Sequence, residues 1–222
     1  MRRRRASVLA LAMCTLLAEP TRAATVAWTS WQRFDASTAT GRITVGESTT
    51  EVRIDVGSAG FAFVQSGGEG TYYWTEVEPA LRPYTGGAVA NAPPTPDIVA
   101  LNKGGPKTIT FSPAVTNPYI ALLSWNGNTV RFSAPFEKVS EGCGEFGCGT
   151  FSLRPGNSFY GDDEPHGIIR FLGTFSSITF TDTTEDWHGL TVGIDGVAPT
   201  VAGTGRQRVI RLFRPAVTAP AR

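Results

Sequence analysis

The stretch "HGIIRFLGTFSSITFTDTTEDWHGLTVGI", residues 166–194, carries the clearest fold signal of this 222-residue chain. Three apolar runs rich in β-branched and aromatic residues follow one another, separated by Gly, Thr and Asp, which is typical of strands and turns. The pattern predicts strands over 168–172, 175–181 and 190–194. A turn at Gly173-Thr174 would pair the first two as a hairpin. The period of two then places one set of side chains in the core, namely Ile169, Phe171, Ile178 and Phe180.

The remainder of the body repeats this pattern of short strands. Asn126-Gly127 is a strong signal for a two-residue hairpin turn, which would set Leu123 opposite Val130. Residues 79–96 read as a surface loop without strands. Without crossover helices, so many strands predict one all-β domain, an antiparallel β-sandwich of the jelly-roll type. The further predicted strands are 25–31, 42–45, 51–56, 61–65, 72–77, 107–112, 119–125, 129–133 and 150–153.

The two ends of the chain read differently from the body. Residues 1–23 hold a basic block, an apolar run of about a dozen residues and the small-x-small end Thr21-Arg22-Ala23, which predict a secretory signal peptide. The run is shorter than the roughly 20 residues of a membrane span, so no stable membrane insertion is expected after its removal. The β-sandwich domain then occupies 24–195. Residues 196–222, rich in Pro, Ala and Arg, are expected to form a mostly flexible tail. The mature protein is expected to be secreted, either periplasmic or extracellular.

Charge and cysteine content narrow the class of partner and the compartment. Removing 1–23 leaves 15 basic and 18 acidic residues, and the acids concentrate in the body, which disfavours a nucleic-acid partner. The mature chain keeps two cysteines, Cys143 and Cys148, and an even pair in an exported chain predicts one disulfide. The loop "CGEFGC" is short and its flanks are rich in glycine. We therefore expect a bond that fixes a local turn rather than a redox site.

Two groups of residues are weak candidates for metal binding. His166 and His188, with Asp182 between them, lie at the same end of the predicted meander, but their positions along the strands point them to opposite faces. The acidic turn at Asp162, Asp163 and Glu164 offers oxygen ligands that suit calcium, although the alternating spacing of a calcium loop is absent. Calcium is the one cofactor that the sequence suggests, and no cofactor is firmly predicted.

Aromatic side chains are the candidate ligand-binding surface. Tyr72 and Trp74 would share one face of the strand 72–77, and Trp28 or Trp31 would extend that face into a platform on which a sugar ring can stack. Core packing is the alternative interpretation of all four residues.

The blocks "TITFSPAVTNPYIALLSWNG", "FSAPFE" and 166–194 resemble a group of exported bacterial proteins, many of which end in a PEP-CTERM sorting tail. The resemblance implies a β-sandwich associated with the cell envelope or exopolysaccharide, and it implies no catalytic residues. The end of this chain departs from that pattern, lacking Pro-Glu-Pro and a spanning helix, so release is expected rather than anchoring.

Three hypotheses about function follow. The leading one is an exported, non-catalytic module that binds glycan or matrix polymer through aromatic and amide side chains. The second is a carbohydrate-active hydrolase or lyase that uses carboxylates of the 162–164 and 182–186 loops, because such a pair carries no sequence signature. The third is a purely structural envelope protein.

Overall fold

The computed structural model describes residues 23–195, which form fifteen strands and one 3₁₀ turn, Gly57–Ala59. The predicted signal peptide, apart from Ala23, and the predicted tail lie outside the described residues. No helix in the part of the chain that is described is long and apolar enough to cross a membrane. The strands are β1 (Val26–Trp28), β2 (Ser30–Phe34), β3 (Thr38–Val45), β4 (Ser48–Asp55), β5 (Phe63–Gln65), β6 (Ile98–Leu101), β7 (Gly105–Thr116), β8 (Tyr119–Leu123), β9 (Thr129–Phe132), β10 (Phe136–Gly144), β11 (Gly147–Arg154), β12 (Ser158–Asp163), β13 (His166–Phe171), β14 (Thr174–Asp182) and β15 (His188–Asp195).

Every strand ladder is antiparallel, which confirms the predicted all-β antiparallel sandwich; the jelly-roll connectivity stays a prediction. Sheet I has the order β10-β13-β8-β15-β6-β5, with β1 also paired to β15. Sheet II has the order β2-β3-β4-β7-β14-β9-β12-β11. The two join where β10 pairs with β11, so one large sheet folds over into a barrel-like sandwich.

Two aromatic-rich clusters fill the two faces of sheet I. The first lies between the sheets and includes Trp31, Trp125 and the predicted core set of Ile169, Phe171, Ile178 and Phe180. The second lies on the outer face of sheet I, around Ile168, where Trp74, Tyr84 and Val89 cover it. Sheet I is therefore buried on both sides, as its continuous apolar strands require.

Both predicted hairpins are wrong. β8 pairs with β13 and β15 in sheet I, whereas β9 pairs with β12 and β14 in sheet II. Asn126-Gly127 is thus a turn that carries the chain between the sheets, with positive φ at Gly127 only. In the same way β13 and β14 belong to different sheets, so residues 166–194 form no meander. The predicted core set meets across the sandwich instead of within one sheet.

Other local predictions need correction as well. Residues 72–77 form no strand, and the segment 79–96 is not a plain surface loop, because it buries Tyr84, Val89 and Pro93 against sheet I. Strands β6, β10 and β12 were not predicted. β10 and β12 contain polar or acidic residues, such as Lys138 and Asp162, which obscure the alternation of apolar residues typical of a strand.

Candidate functional site

The four predicted aromatic candidates do not form one platform. Trp31 and Trp74 lie in the core with exposed fractions of 0% and 1%, so their rings cannot meet a ligand at the surface. Tyr72 is 40% exposed, and its hydroxyl donates to the Pro93 carbonyl over 2.8 Å. Trp28 is half-buried, with its indole N–H 3.3 Å from the Asn91 carbonyl. Ligand binding by Tyr72 or Trp28 stays a prediction.

The six predicted metal-binding residues do not come together in one site, and no three His, Cys, Asp or Glu side chains within residues 23–195 are grouped to hold a metal ion. Asp162 accepts a hydrogen bond from Ser152 on the neighbouring strand β11. Asp163 is exposed at the end of β12, in a left-handed backbone conformation with φ of 56°. The other four residues, Glu164, His166, Asp182 and His188, belong to the three arrangements described next.

His166 lies on the outer face of sheet I, in the cluster covered by the 72–92 segment. Its Nδ1 is 3.2 Å from the hydroxyl of Tyr84, and its Nε2 is buried with no hydrogen-bond partner. Burial lowers the pKa of His166 to about 4, so the ring is neutral at physiological pH. The environment is that of a core histidine rather than a metal ligand.

His188 lies on the opposite face, between the sheets, within a buried charged network. Its Nε2 is 3.0 Å from Asp182 Oδ2, and its Nδ1 contacts Glu185. Burial lowers the pKa of His188, but its hydrogen bonds to the two carboxylates outweigh it, so the pKa lies above its ordinary value. Lys107 completes the network, with Nζ 2.5 Å from Asp182 Oδ1 and no exposure. Lys107 and His188 therefore contact the two carboxylates, Asp182 and Glu185, at the end of β14.

This network fixes the 183–187 loop that follows β14. Asn128 holds the loop from the other side, since its amide accepts from the Thr183 N–H and donates to the Thr183 carbonyl, each over 2.9 Å. Burial and the nearby charge of Glu164 raise the pKa of Glu185, although its hydrogen bond with His188 partly offsets them. These hydrogen bonds thus fix the path of the 183–187 loop from the buried network to the surface.

A pocket of about 280 Å³ opens beside this loop. Its residues come from four connections, β8–β9, β10–β11, β12–β13 and β14–β15, and each of them crosses from one sheet to the other. These four connections lie at the same end of the sandwich, which explains why residues distant in sequence meet here. The lining side chains are Ser124, Asn126, Phe146, Glu164, Asp186 and Trp187.

The polar wall of the pocket is organised around Glu164. Its carboxylate accepts hydrogen bonds from the Ser124 hydroxyl over 2.6 Å and from the Asn126 amide over 2.8 Å. Ser124 adopts a left-handed conformation, with φ of 52°, directly before the turn. Pre-set acceptors and donors of this kind fix the orientation of a polar ligand.

The aromatic wall is formed by Trp187 and Phe146. The Trp187 ring packs against Phe63, Tyr73 and Phe146, with centroid distances of 4.9, 5.4 and 5.4 Å. Phe146 stays 44% exposed at the tip of the β10–β11 hairpin, whose base is closed by the predicted disulfide, confirmed between Cys143 and Cys148. Glu145 beside it accepts from the Thr75 hydroxyl over 2.9 Å, which ties the tip to the covering segment.

Sequence reasoning found this pocket only in part. The 162–164 and 182–186 loops were singled out as sources of carboxylates, and Glu164 and Asp186 do line one pocket. Phe146 and Trp187 were missed as ligand contacts because they stand singly beside turns, whereas the Tyr72–Trp74 run offered a periodic pattern. Asn126 was assigned to a hairpin turn. An isolated exposed aromatic residue within a glycine-rich turn is the signal that was available.

The fold and the pocket define a class: an all-β sandwich with an aromatic and acidic pocket built from four connections between the sheets. No protein-family model, no curated protein and no solved structure matches this chain.

Proposed function

We propose that this protein is an exported, non-catalytic module that binds glycan in the pocket of Trp187, Phe146 and Glu164. The observation that carries the proposal is the pairing of an aromatic wall with fixed polar groups in one pocket. A pyranose ring has an apolar face of C–H groups and an edge of hydroxyls. The aromatic wall can stack on the apolar face of the sugar, and the carboxylate and amide groups can hydrogen-bond to its hydroxyls.

The setting supports a glycan of the cell envelope or matrix. The predicted signal peptide supports a location of the mature chain outside the cytoplasm, and the resemblance to PEP-CTERM-associated proteins points to exopolysaccharide. The acidic balance of the body, ten basic against eighteen acidic residues between 23 and 195, disfavours a nucleic acid.

The test is retention of the mature chain, 24–222, on a panel of insoluble polysaccharides, and affinity electrophoresis with soluble ones. Trp187→Ala and Phe146→Ala should each weaken retention by about tenfold, the scale of one lost aromatic contact. Phe34→Ala is the matched control, because Phe34 is 56% exposed on β2 and does not line this pocket. Repeating the assay with calcium and with a chelator tests the calcium prediction. Retention that is equal in all variants would contradict the proposed site, and absence of retention on the whole panel would favour a structural envelope protein.

A hydrolase is the second candidate, and one observation favours it: two loops each bring a carboxylate, Glu164 and Asp186, to the same pocket. In such a reaction one carboxyl protonates the leaving glycosidic oxygen. The other carboxylate takes a proton from the water whose oxygen bonds to the anomeric carbon. Release of reducing sugar by the wild type, and its loss in Glu164→Gln and Asp186→Asn, would establish this function in place of the first.

A further inference from the structure

We infer that the pocket selects a cationic glycan, one whose sugar units carry a free ammonium group, over neutral and acidic glycans. The inference rests on the proposed function and names the substrate class for that same pocket. It is carried by the charge around the pocket, by an unpartnered carboxylate oxygen behind it and by the composition of its aromatic wall.

Charge is distributed unevenly over the described part of the chain. The four segments that surround the pocket, 124–128, 144–147, 162–165 and 183–187, contain no Lys or Arg. Five arginines instead lie on strands of sheet II: Arg33, Arg42, Arg53, Arg131 and Arg154. The pocket segments carry six carboxylates, namely Glu145, Asp162, Asp163, Glu164, Glu185 and Asp186.

A polyanionic glycan in the pocket would meet the carboxylates that line it, and the surrounding segments supply no lysine or arginine to compensate. Like charges in contact cost several kcal/mol and reject a wrong partner, whereas an ammonium group gains from the same field. Two of the carboxylates, Glu164 and Asp186, line the pocket itself. The field therefore discriminates by charge at the point where the ligand sits.

A second observation concerns Glu185, behind the pocket. Its side chain is 90% buried, and its Oε2 has no hydrogen-bond partner, while Oε1 is engaged by His188. It lies close enough to Glu164 for that charge to raise its pKa. The unpartnered Oε2, next in sequence to the pocket residue Asp186, is a buried acceptor that an added cationic donor would satisfy.

The aromatic wall adds to this preference. A ring face attracts a cation through its quadrupole, and Trp is the strongest such group. Trp187 and Phe146 stand beside the two pocket carboxylates, so an amino sugar can stack its C–H face while its ammonium group faces negative charge. A fully N-acetylated sugar keeps the stacking and hydroxyl contacts but loses the charge attraction.

The test compares two probes of equal length, a glucosamine tetrasaccharide and its fully N-acetylated form, by isothermal titration calorimetry at about pH 6, where free carboxylates are ionised. The wild type should bind the glucosamine form at least about tenfold more tightly, and raising the salt to about 0.5 M should reduce that ratio, because the attraction is screened. The double variant Glu164→Gln/Asp186→Asn should lose the discrimination and keep the weaker binding of the acetylated form.

Glu47→Gln is the matched control, since it removes one charge in the exposed turn between β3 and β4, and it should bind both probes as the wild type does. Equal affinity of the wild type for the two probes, with Trp187→Ala weakening both, would overturn the cationic selection and leave the glycan proposal standing. If neither probe binds and the polysaccharide panel gives no retention, the proposed function itself fails. Unchanged unfolding midpoints of all variants show that altered binding is not loss of fold.

Discussion

At the scale of single residues, His166 and His188 show how burial with and without charged partners gives opposite pKa directions. His166 has one neutral partner, Tyr84, so burial dominates and lowers its pKa to about 4. His188 has two carboxylate partners, Asp182 and Glu185, and its pKa is raised. The alternation along the strands predicted that the two rings face opposite sides, and the contacts place them so. The partners could not be read from the sequence, because Tyr84 is 82 positions away.

The first prediction concerns acid stability and His166. Because its pKa is lowered in the fold, the unfolded chain takes up the proton first as the pH falls below about 6.5. The free energy of unfolding should therefore decline between about pH 6.5 and pH 4, by roughly 3 kcal/mol in all. In His166→Phe this decline should be absent.

Urea unfolding at several pH values checks that prediction, with His188→Gln as the matched control. His188 contributes stability that is fully present below its unfolded pKa and is lost only as the pH rises through its raised pKa. Its replacement should therefore leave the slope below pH 6.5 intact. An unchanged slope in His166→Phe would contradict the assignment of the acid sensitivity to His166.

The second prediction concerns Lys107, a cation with no exposed side-chain surface. Lys107→Met keeps most of the apolar stem but removes the buried ammonium group that pairs with Asp182. Breaking a buried ion pair from one side costs about 3–5 kcal/mol, so the free energy of unfolding should fall by that order. Lys103→Met, at an exposed neighbouring position, should change it by less than about 0.5 kcal/mol. Equal stability of the two variants would show that the buried pair contributes nothing.

At the scale of elements, strand positions were more predictable than strand partners. The alternation of apolar residues that identifies β13 and β14 is local, and it correctly placed Ile169 and Ile178 in the core. Pairing is a long-range property. The Asn126-Gly127 and Gly173-Thr174 pairs indicate that the chain changes direction. They do not indicate whether the chain stays in one sheet or crosses to the other. Both predicted hairpins failed for this reason, and one of the two crossing turns, Asn126-Gly127, contributes to the pocket.

The third prediction concerns the β10–β11 hairpin, whose disulfide closes a loop of only six residues. Loop-closure entropy for so short a loop amounts to about 2 kcal/mol, which limits the loss of stability in Cys143→Ala/Cys148→Ala. In the same variant, glycan retention should fall by a larger fraction than the free energy of unfolding does. The reason is that the position of Phe146 in the pocket wall depends on this turn.

Urea unfolding and retention on the best-bound polysaccharide, measured on the double variant and on the wild type treated with dithiothreitol, check this hairpin prediction together. The reduced wild type should behave as the variant does. If retention is unaffected while stability falls, the hairpin tip is not part of the binding surface.

At the scale of the whole molecule, the burial of Trp31 and Trp74 in two different core clusters explains why these aromatic residues misled sequence reasoning. A platform of Trp31 and Trp74 required both rings to lie on one free face of a sheet. Instead Trp31 lies in the first core cluster, between the sheets. Trp74, in the 72–92 segment, packs against the outer face of sheet I. Nothing in the local pattern around Trp74 indicates that a segment without strands will form a covering layer.

The 72–92 segment, which covers the outer face of sheet I, and the strand β1 hold the N-terminal and C-terminal parts of the domain together. β1 pairs with the end of β15, Val26 opposite Asp195, and the Val26 side chain is buried in the outer cluster. Ala24 bridges to Val89 in the covering segment. Cleavage after Ala23, as the sequence predicts, leaves this arrangement intact, whereas cleavage only five residues later removes all of β1.

The fourth prediction follows: a chain that begins at Thr29 should be markedly less stable than one that begins at Ala24. It loses the burial of Val26 and part of Trp28, on the order of 3 kcal/mol, and it exposes the edge of β15. For a domain of this size the unfolding midpoint should fall by roughly 6–12 °C. Scanning calorimetry of the two chains measures the shift, and mass spectrometry of the exported protein should find Ala24 as its first residue. Equal midpoints would mean that β1 is dispensable, and the requirement for cleavage before β1 would then have no structural basis.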